Sequence, residues 1–568
     1  MTCIELEYNL VELPSAQHRA GLAALILMTK ELRQQPWFDE RDNPVVEFIE
    51  LKEYSATLKL NLEGLKSLFD LAYKADVDIR WTTKKDKKRD YQEDEVRIRE
   101  EKVFVGKKKT EKIKSITEYQ YKVVVPYGAF LPIWDKSSDE QNKGLWIKLW
   151  RDMLWNTIRG VPATRNSFNN RCDGKAYSQD AEKFWQELNN PEKQVGQSGN
   201  YFLGAMASNA ENVPTKDLVK SQFLLHFWVF VAQVYCPMTL DKDGKRQFSG
   251  YAIAIPDVAN LLDFCDEFQE VLEARDSEKY GYRPREAVID IPEEGALDLL
   301  RLLKQRISLK TGSQTLEDLI LGVELIHAEK AGNNVKMRSI SYVEPIVSQV
   351  DRYTEIQKAY WCPWFRKQRL INLLNSQPES DKPNAPLKEI PAWIGFDAVL
   401  SRIPRKWLLD PYFSHDAREL FNSEGEIQMN KNVRKEAEIV YKVCQSYVLG
   451  KLDSKHHIKW DKEKKKYIDT QTKNKQAISQ QSDGDEKKYK IANEAFLAVR
   501  SRTENKAFID YFVSTLYPYI RKEEFAGFAD KLFNNTDEIR ALTLLALASQ
   551  FPSTRKTEED TSTKSKAA

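Results

Sequence analysis

The sequence predicts an α+β protein in which a mixed α/β N-terminal body is followed by an all-α C-terminal helical bundle. The first 80 residues alternate β-like and helical runs, as α/β domains do. Beyond about Arg418 the apolar residues recur mainly with helical spacing. At 568 residues the chain is also too long for one ordinary core. We therefore expect a body over residues 1–415, a bundle over 416–552 and a disordered tail over 553–568.

Composition excludes several classes of protein. The chain is 41% hydrophobic and holds 13 tryptophans, enough for a large core, so global disorder is excluded. Its 6 cysteines are scattered without a CxxC pair, which argues against a zinc site and a disulfide framework. No signal peptide is recognised, and the most apolar run, residues 223–238, is too short for a membrane span and is interpreted as a buried core element. We expect a cytoplasmic protein without membrane contact.

The body begins with four predicted elements and a hairpin. The elements are a strand over residues 3–11, a helix over 20–33, a strand over 45–60 and a helix over 64–74. Residues 82–114 then place lysine clusters at 84–89 and 107–109 around a β-like run, which is typical of a hairpin with basic tips. Lysines on a hairpin also protect its edge from aggregation, so both nucleic-acid contact and simple solubility stay open.

A tryptophan-rich helix before a polar stretch is the feature around which the body is organised. Apolar residues in 146–154 recur every three or four positions, and Gly160 and Pro162 end the helix. Residues 163–171, ATRNSFNNR, offer hydrogen-bond donors and no carboxylate, and we interpret them as a loop. Arginine suits phosphate or guanine and asparagine suits adenine, although a solvated surface loop often has this composition too. The residues expected to bind nucleic acid are Arg159, Thr164, Arg165, Asn166, Asn169, Asn170 and Arg171.

The second half of the body continues with strands and helices. Residues 250–268 read as a strand leading through Pro256 into a helix, and further helices are predicted over 180–188, 297–303 and 315–325. His327 lies beside an apolar run, where a histidine is more often a satisfied structural residue than a ligand. Residues 376–391 contain four prolines and predict a linker.

Aromatic and cationic residues alternate over residues 360–369, YWCPWFRKQR. That composition is typical of a stacking platform for single-stranded nucleic acid. We therefore add Trp361, Trp364, Arg366 and Arg369 to the candidate nucleic-acid-binding residues. The alternative places the aromatic rings in a core and the cations in solvent, because a helix is predicted directly afterwards, over residues 370–374.

The C-terminal region reads as helices interrupted by a lysine-rich loop over residues 455–481. The helices are predicted over residues 433–449, 486–500, 503–517, 523–533 and 536–551. From Met429 onward, 27 lysines and arginines face 20 aspartates and glutamates, a charge of +7, whereas the preceding residues sum to −5. The asymmetry indicates that the C-terminal region contacts a polyanion.

No catalytic motif is recognisable in the sequence. It has no phosphate-binding P-loop, no serine-hydrolase elbow, no zinc-protease helix and no carboxylate cluster with ligand spacing. We therefore expect a protein that is not an enzyme, with no cofactor and no metal. Two alternatives stay open, a nucleic-acid-processing enzyme with dispersed catalytic residues and a plain scaffold protein. A metal-dependent nuclease assay would detect the first, and DNA binding without salt dependence would indicate the second.

Several segments in order resemble a known family. They are RGVPATR at residues 159–165, GYAIAIPDVANLLDF at 250–264, GVELIHAEKAGNNVK at 322–336, WFRKQRLINLL at 364–374 and PAWIGFDAVL at 391–400. Together they look like the large subunit of a type I CRISPR Cascade. The chain is most similar to the I-B-like variety, which includes forms found in CRISPR-associated transposons. The resemblance covers most of residues 100–400.

The resemblance implies a non-catalytic subunit at the 5′ end of the crRNA, which senses the protospacer-adjacent motif (PAM) in duplex DNA and helps to open the duplex for guide pairing. The implied partners are crRNA, target double-stranded DNA, the Cascade backbone and 5′-handle-binding subunits, and separate copies of the small subunit. The C-terminal bundle resembles that small subunit, which supports the displaced strand. A helicase-nuclease and a transposition adaptor are both candidates for a further partner.

Met429 is a candidate start for a separate small subunit. It is one of 7 methionines and lies where the mixed α/β pattern gives way to helices. Gly425 and Glu426, a few codons upstream, can be encoded as a purine-rich ribosome-binding sequence. We therefore expect one gene to yield both the full chain and a product of residues 429–568.

Overall fold

The computed structural model divides the chain into two compact units. The first comprises Met1–Thr239 and Gln247–Ile346, and the second comprises Leu240–Arg246 and Val347–Ala568. The residues described are 2–83, 91–105, 110–126, 164–196, 216–240, 246–274, 288–307, 315–331, 334–359, 362–380, 385–388, 390–391, 393–403, 411–422, 431–461, 466–471, 481–519 and 528–551. Strands dominate the first unit and helices the second, which confirms the α+β class with a helical C-terminal region. The boundary expected after residue 415 lies inside the second unit.

The first unit begins with a three-stranded antiparallel sheet and two helices. Its elements are β1 (Cys3–Asn9), α1 (Ala16–Leu32), β2 (Val46–Leu51), β3 (Ser55–Asn61) and α2 (Leu62–Ala72), with strand order β1-β3-β2. Ser15 starts α1 by accepting a hydrogen bond from the backbone N–H of His18. The predicted alternation of strands and helices is confirmed, and the run predicted over residues 45–60 is a hairpin of two strands.

A second antiparallel sheet contains the predicted hairpin. It consists of β4 (Ala75–Thr82), β5 (Tyr91–Val105) and β6 (Thr110–Pro126) in the order β4-β6-β5. The β5 and β6 strands pair from Val96 opposite Tyr119 to Val105 opposite Thr110, which confirms the hairpin. Arg97 donates to Glu118 at 2.6 Å, and its guanidinium lies 4.5 Å from the ring centroid of Trp81. Both lysine clusters lie outside the described residues.

Short elements connect this sheet to the main sheet of the unit. They are α3 (Thr164–Asn170), α4 (Gln179–Leu188), β7 (Gln194–Gly196), β8 (Lys216–Leu218) and α5 (Val219–Leu224). Helix α4 confirms the helix predicted over residues 180–188. The run over residues 223–238 is confirmed as core, because Phe223, Trp228 and Val234 are all buried.

The main sheet has six strands and is covered by helices. Its elements are β9 (Gln233–Leu240), β10 (Arg246–Phe248), β11 (Tyr251–Val258), α6 (Leu261–Ala274), β12 (Val288–Ile289), α7 (Glu294–Ile307), α8 (Leu316–Leu319), β13 (Ile320–Ala331) and β14 (Asn334–Val343). The order is β10-β9-β11-β13-β14, with β12 paired to β9. Every side chain of β11 is buried, so this strand is covered on both faces. The predicted passage from strand to helix over residues 250–268 is confirmed.

The helix predicted over residues 315–325 is wrong for most of its length. Helix α8 ends at Leu319, and β13 begins at Ile320 and pairs with β11 and β14. Ile320, Val323 and Ile326 are β-branched, and such residues fit a buried sheet better than a helix. The apolar run alone did not distinguish the two structures, because a short buried strand and a short buried helix are equally apolar.

The buried Asp257 and His327 side chains of the main sheet have hydrogen-bond partners. Arg19 Nε donates to Asp257 at 2.5 Å, and the Tyr342 hydroxyl donates to the same carboxylate at 3.0 Å. Burial, together with the nearby charge of Asp257, raises the pKa of Glu324 to about 7. His327 Nε2 lies 2.5 Å from the Ser249 carbonyl oxygen, which confirms that His327 is a satisfied structural residue.

The second unit is a set of helices around one central helix. They are α9 (Val347–Ala359), α10 (Pro363–Asn375), α11 (Phe396–Arg402), α12 (Pro411–Asn422), α13 (Lys431–His456), α14 (Gln481–Arg500), α15 (Asn505–Tyr511), α16 (Phe528–Asn534) and α17 (Thr536–Ala548). Helix α17 contacts α11, α12, α13 and α14, and Ile539, Leu542 and Leu545 on it are fully buried. The five helices predicted after Met429 are therefore confirmed as α13 to α17. Among the described residues, no helix is both long enough and apolar enough to cross a membrane.

Residues before Met429 form hydrogen bonds at both ends of α17. Arg418 donates to the carbonyl oxygens of Ser549 at 3.0 Å and Phe551 at 2.7 Å, just beyond the last turn of α17. A cation at this end satisfies carbonyl groups that a helix leaves unpaired. At the other end, Trp393 Nε1 donates to Glu538 at 2.7 Å.

The lysine-rich loop predicted over residues 455–481 is wrong in its first half. The described residues there complete α13 and form an antiparallel hairpin of β15 (Ile458–Asp461) and β16 (Lys466–Asp469). Ile458 and Tyr467 are buried beside α13 and α14, and this apolar anchoring makes a hairpin stable. The high lysine content obscured these few apolar positions.

Candidate nucleic-acid interface

The polar stretch after Pro162 is a helix and not the predicted loop. Residues Thr164–Asn170 form α3, and the fully buried ring of Phe168 packs edge-on against Tyr73 at 5.2 Å between centroids. One apolar anchor is enough because the neighbouring elements hold the helix by tertiary packing. Arg159 and the predicted tryptophan-rich helix lie outside the described residues, as do the side chains of Thr164 and Arg165.

Three of the predicted residues share one exposed face of α3. Asn166, Asn169 and Asn170 are exposed, and their spacing places them together on one side of the helix. Within the described part of the chain, their side chains make no hydrogen bond to the protein. Asparagine is a poor helix former, so the three residues weaken α3 and gain no contact within the fold in return. The face presents amide donors and acceptors outward.

Arg171 has a different role from the one predicted. Its side chain is 1% exposed, and all five of its N–H groups are used within the protein. Nε donates to Asp70 at 2.5 Å, and the two terminal nitrogens donate to the two oxygens of Asp180 at 2.6 and 2.8 Å. The remaining two N–H groups reach the carbonyl oxygens of Ser167 and Tyr177. No donor is left for a phosphate or a base, so Arg171 is a structural residue of this fold.

The Arg171 cluster ties three helices together. Asp70 belongs to α2 and Asp180 to α4, while Arg171 follows the end of α3. Burial lowers the pKa of Arg171, but the hydrogen bond and charge of Asp180, with the charge of Asp70, raise it above its ordinary value. Arg41 pairs with the other oxygen of Asp70. The asparagine face of α3 is therefore supported by a buried cluster of ion pairs.

The described residues of the predicted stacking platform do not share one surface. Trp364, Arg366 and Arg369 lie within α10, where Trp364 and Arg366 are half-buried and Arg369 is 5% exposed. Positions i and i+2 of a helix are separated by roughly 200°, so Trp364 and Arg366 point to different sides. Trp361 lies outside the described residues. Of this set, Trp364 is a half-buried aromatic residue, and its indole N–H has no acceptor among the described residues.

Other parts of the described structure do not extend this interface. A cavity in the first unit is lined by Glu53, Tyr54, Ala259, Asn260, Asp263, Glu317 and Asp318. Its four carboxylates would repel a phosphate backbone. Among the described residues, no group of three or more histidine, cysteine, aspartate or glutamate side chains is placed to hold a metal ion.

Comparison with known proteins gives two adjacent family matches. The family model described as the type I-B CRISPR Cas8b N-terminal domain matches residues 45–313. The family model described as the type I-B CRISPR Cas8b C-terminal domain matches residues 320–550. No curated protein matches the chain. Helix α3 lies within the first match and helix α10 within the second.

Proposed function

Because this chain belongs to the type I-B CRISPR Cas8b family and is thus a large subunit of a type I-B Cascade, we propose that it recognises the PAM in duplex DNA and supports R-loop formation. The proposed role is binding without catalysis. The observation that supports it best is the exposed asparagine face of α3, which stands on the buried Arg171 cluster. Guide pairing reads the long target sequence, so the protein needs to read only a short motif.

The asparagine face has the chemistry of base readout. An α-helix fits the major groove of DNA, and an asparagine amide pairs bidentately with the N6 and N7 positions of adenine. Thr164 and Arg165 at the start of the same helix, and Arg159, which precedes it in the sequence, are proposed to add phosphate or guanine contacts. The test is the affinity of the assembled Cascade for duplex targets that carry the PAM and for targets with the PAM scrambled, because base readout separates the two.

We further propose that Trp364 stacks on an unpaired base. Replacing Trp364 by alanine should then slow R-loop formation by the assembled Cascade, because stacking on an aromatic ring contributes about 1–3 kcal/mol per base. The melting temperature of the protein should change little, since Trp364 is only half-buried. R-loop formation is followed by fluorescence of a base analogue in the target, and melting by calorimetry.

A second tryptophan provides the control for Trp364. Trp393 is fully buried and donates to Glu538, so Trp393→Ala should lower stability by about 3–5 kcal/mol, as truncation of a core aromatic residue does. If Trp364→Ala lowers the melting temperature as much as Trp393→Ala does, Trp364 is a core residue and the stacking role is wrong.

We also propose that separate small subunits arise from translation at Met429. Helix α13 begins at Lys431, two residues after Met429, so a product of residues 429–568 would contain α13 and every later helix complete. It would carry the +7 charge, which suits the lining of a nucleic-acid channel. Detached copies would line the channel beyond the reach of one tethered bundle.

Native mass spectrometry of the purified complex tests the internal start. The wild-type gene should give a second species of about 16 kDa, because the product has 140 of the 568 residues that weigh 66.0 kDa. The Met429→Leu gene should give the full chain alone. A persistent small species in the Met429→Leu complex would exclude Met429 as the start, and its absence from the wild-type complex would exclude the two-product proposal.

A further inference from the structure

A charged surface with a half-buried tryptophan lies partly in the segment for which the sequence predicts a low-complexity loop. It is formed by the last turn of α13, the β15–β16 hairpin and the beginning of α14. We propose that this hairpin surface, made of Lys455, His456, Trp460, Lys487 and Lys490, binds single-stranded nucleic acid. The inference deepens the proposed role in R-loop support, since an R-loop contains a displaced single strand.

Packing within the hairpin brings the tryptophan to α14. The Trp460 ring lies 4.8 Å from the Tyr467 ring in an edge-on arrangement. Tyr467 packs against Gly484, where a Cβ atom would lie 2.4 Å from the ring, and its hydroxyl donates to Asp485 at 2.7 Å. Lys487 follows on the next turn of α14. Trp460 is held in place by Tyr467 and stays half-buried, which leaves part of its ring for a base.

The cations of the hairpin surface converge on His456. Burial lowers the pKa of His456, and the charges of Lys487, Lys455 and Lys490 lower it further, against the opposite effect of Glu494. Three lysines from two different helices therefore lie close enough to His456 for their charges to act on its imidazole. A phosphate backbone is the ligand that such a group of lysines would bind.

The existing ion pairs on this surface are weak enough to exchange. Lys455 lies 4.0 Å from Glu494, and Lys490 lies 2.7 Å from Glu486, with all four side chains more than half exposed. Exposed pairs of this kind contribute about 0–1 kcal/mol each. Lys487 forms no ion pair within the described part of the chain. Each of the three lysines can therefore bind a phosphate with little loss of free energy from its present contacts.

Binding of the full chain to a fluorescein-labelled 20-nucleotide oligo(dT) tests the inference. Trp460→Leu keeps an apolar side chain but removes the ring, and it should weaken binding about 10-fold, as the loss of one stacked base does. The triple variant Lys455→Gln, Lys487→Gln and Lys490→Gln should reduce the dependence of log Kd on log salt by about two, because each phosphate contact on a single strand contributes about 0.7.

The matched control changes the same charge at other exposed lysines. The variant Lys74→Gln, Lys388→Gln and Lys506→Gln should leave the salt dependence unchanged. If both hairpin variants bind oligo(dT) as this control does, the inference is wrong. It is also wrong if polyglutamate displaces oligo(dT) from the wild-type chain as well as unlabelled oligo(dT) does, because the surface would then suit an acidic protein.

PAM discrimination by the assembled Cascade separates this inference from the proposed function. The triple lysine variant should lose oligo(dT) affinity and keep its preference for the PAM-bearing duplex. Wild-type Cascade that binds oligo(dT) through the hairpin surface but shows no preference for the PAM would contradict the α3 proposal alone. The melting curve of the triple lysine variant should coincide with that of the wild type, since Lys455 and Lys490 are exposed and Lys487 is half-buried without an ion pair among the described residues.

Discussion

Replacing Arg171 by alanine is expected to lower the free energy of unfolding of the first unit by about 3–5 kcal/mol. The substitution removes a buried cation and leaves Asp70 and Asp180 as carboxylates without their main partner. Part of this loss comes from Asp180, which loses its ion pair, and from Asp70, which keeps only Arg41. Another part comes from the carbonyl groups of Ser167 and Tyr177, which lose their donor. Denaturant unfolding of the full chain, followed by tryptophan fluorescence, measures the change.

Arg97 offers a matched control for this prediction. It also pairs with a glutamate and lies over a tryptophan ring, but its side chain is 51% exposed. Arg97→Ala should therefore cost no more than about 1 kcal/mol. Arg171→Lys should fall between the two, because lysine keeps the charge but cannot bind Asp180 through two parallel hydrogen bonds. Equal effects of Arg171→Ala and Arg97→Ala would contradict the structural role of Arg171.

The triple variant Asn166→Ala, Asn169→Ala and Asn170→Ala is expected to lose the preference of Cascade for its PAM while keeping its fold. Loss of even one base contact costs about 1–3 kcal/mol on the preferred motif only. Alanine is the better helix former by up to about 0.7 kcal/mol per residue, so α3 should become no less stable. Affinity for PAM-bearing and scrambled duplexes, with the melting temperature of each variant, gives both readouts.

Two comparisons make the result specific. Gln186→Ala, Asn189→Ala and Asn190→Ala remove three exposed amides at the end of the adjacent helix α4 and should leave PAM preference intact. Arg165→Ala, as a phosphate contact, should weaken both duplexes alike and reduce the salt dependence by about one. If the asparagine variant binds both duplexes as the wild type does, α3 is not the PAM-reading element.

The sequence predicted most elements because their signals are local. Helices α1, α13 and α14 and the turn from β11 into α6 follow from the spacing of apolar residues within one segment. The same reasoning failed at Ile320. The segment is clearly apolar, but it is a strand because it pairs with β11 and β14, which the local sequence does not show. It failed again at the β15–β16 hairpin, because the few buried residues that stabilise the hairpin lie among many lysines.

The candidate site shows why function was harder to predict than fold. Residues 163–171 have no carboxylate in sequence, which suggested that Arg171 is available to an anion. Asp70, 101 positions earlier, provides the missing negative charge, and no property of the local sequence indicates this. The asparagines were predicted as nucleic-acid contacts and are exposed, but their common face depends on α3 being a helix.

Helix α17 is shared between two parts of the chain that internal translation would separate. A product of residues 429–568 would keep α13 and α14 against α17 and lose α11, α12 and Arg418. One flank of a largely buried helix would then be exposed to water, and its last carbonyl groups would have no cap. Such a fragment would tend to aggregate while unbound, so its abundance in the cell would depend on how quickly a neighbouring subunit covers that flank.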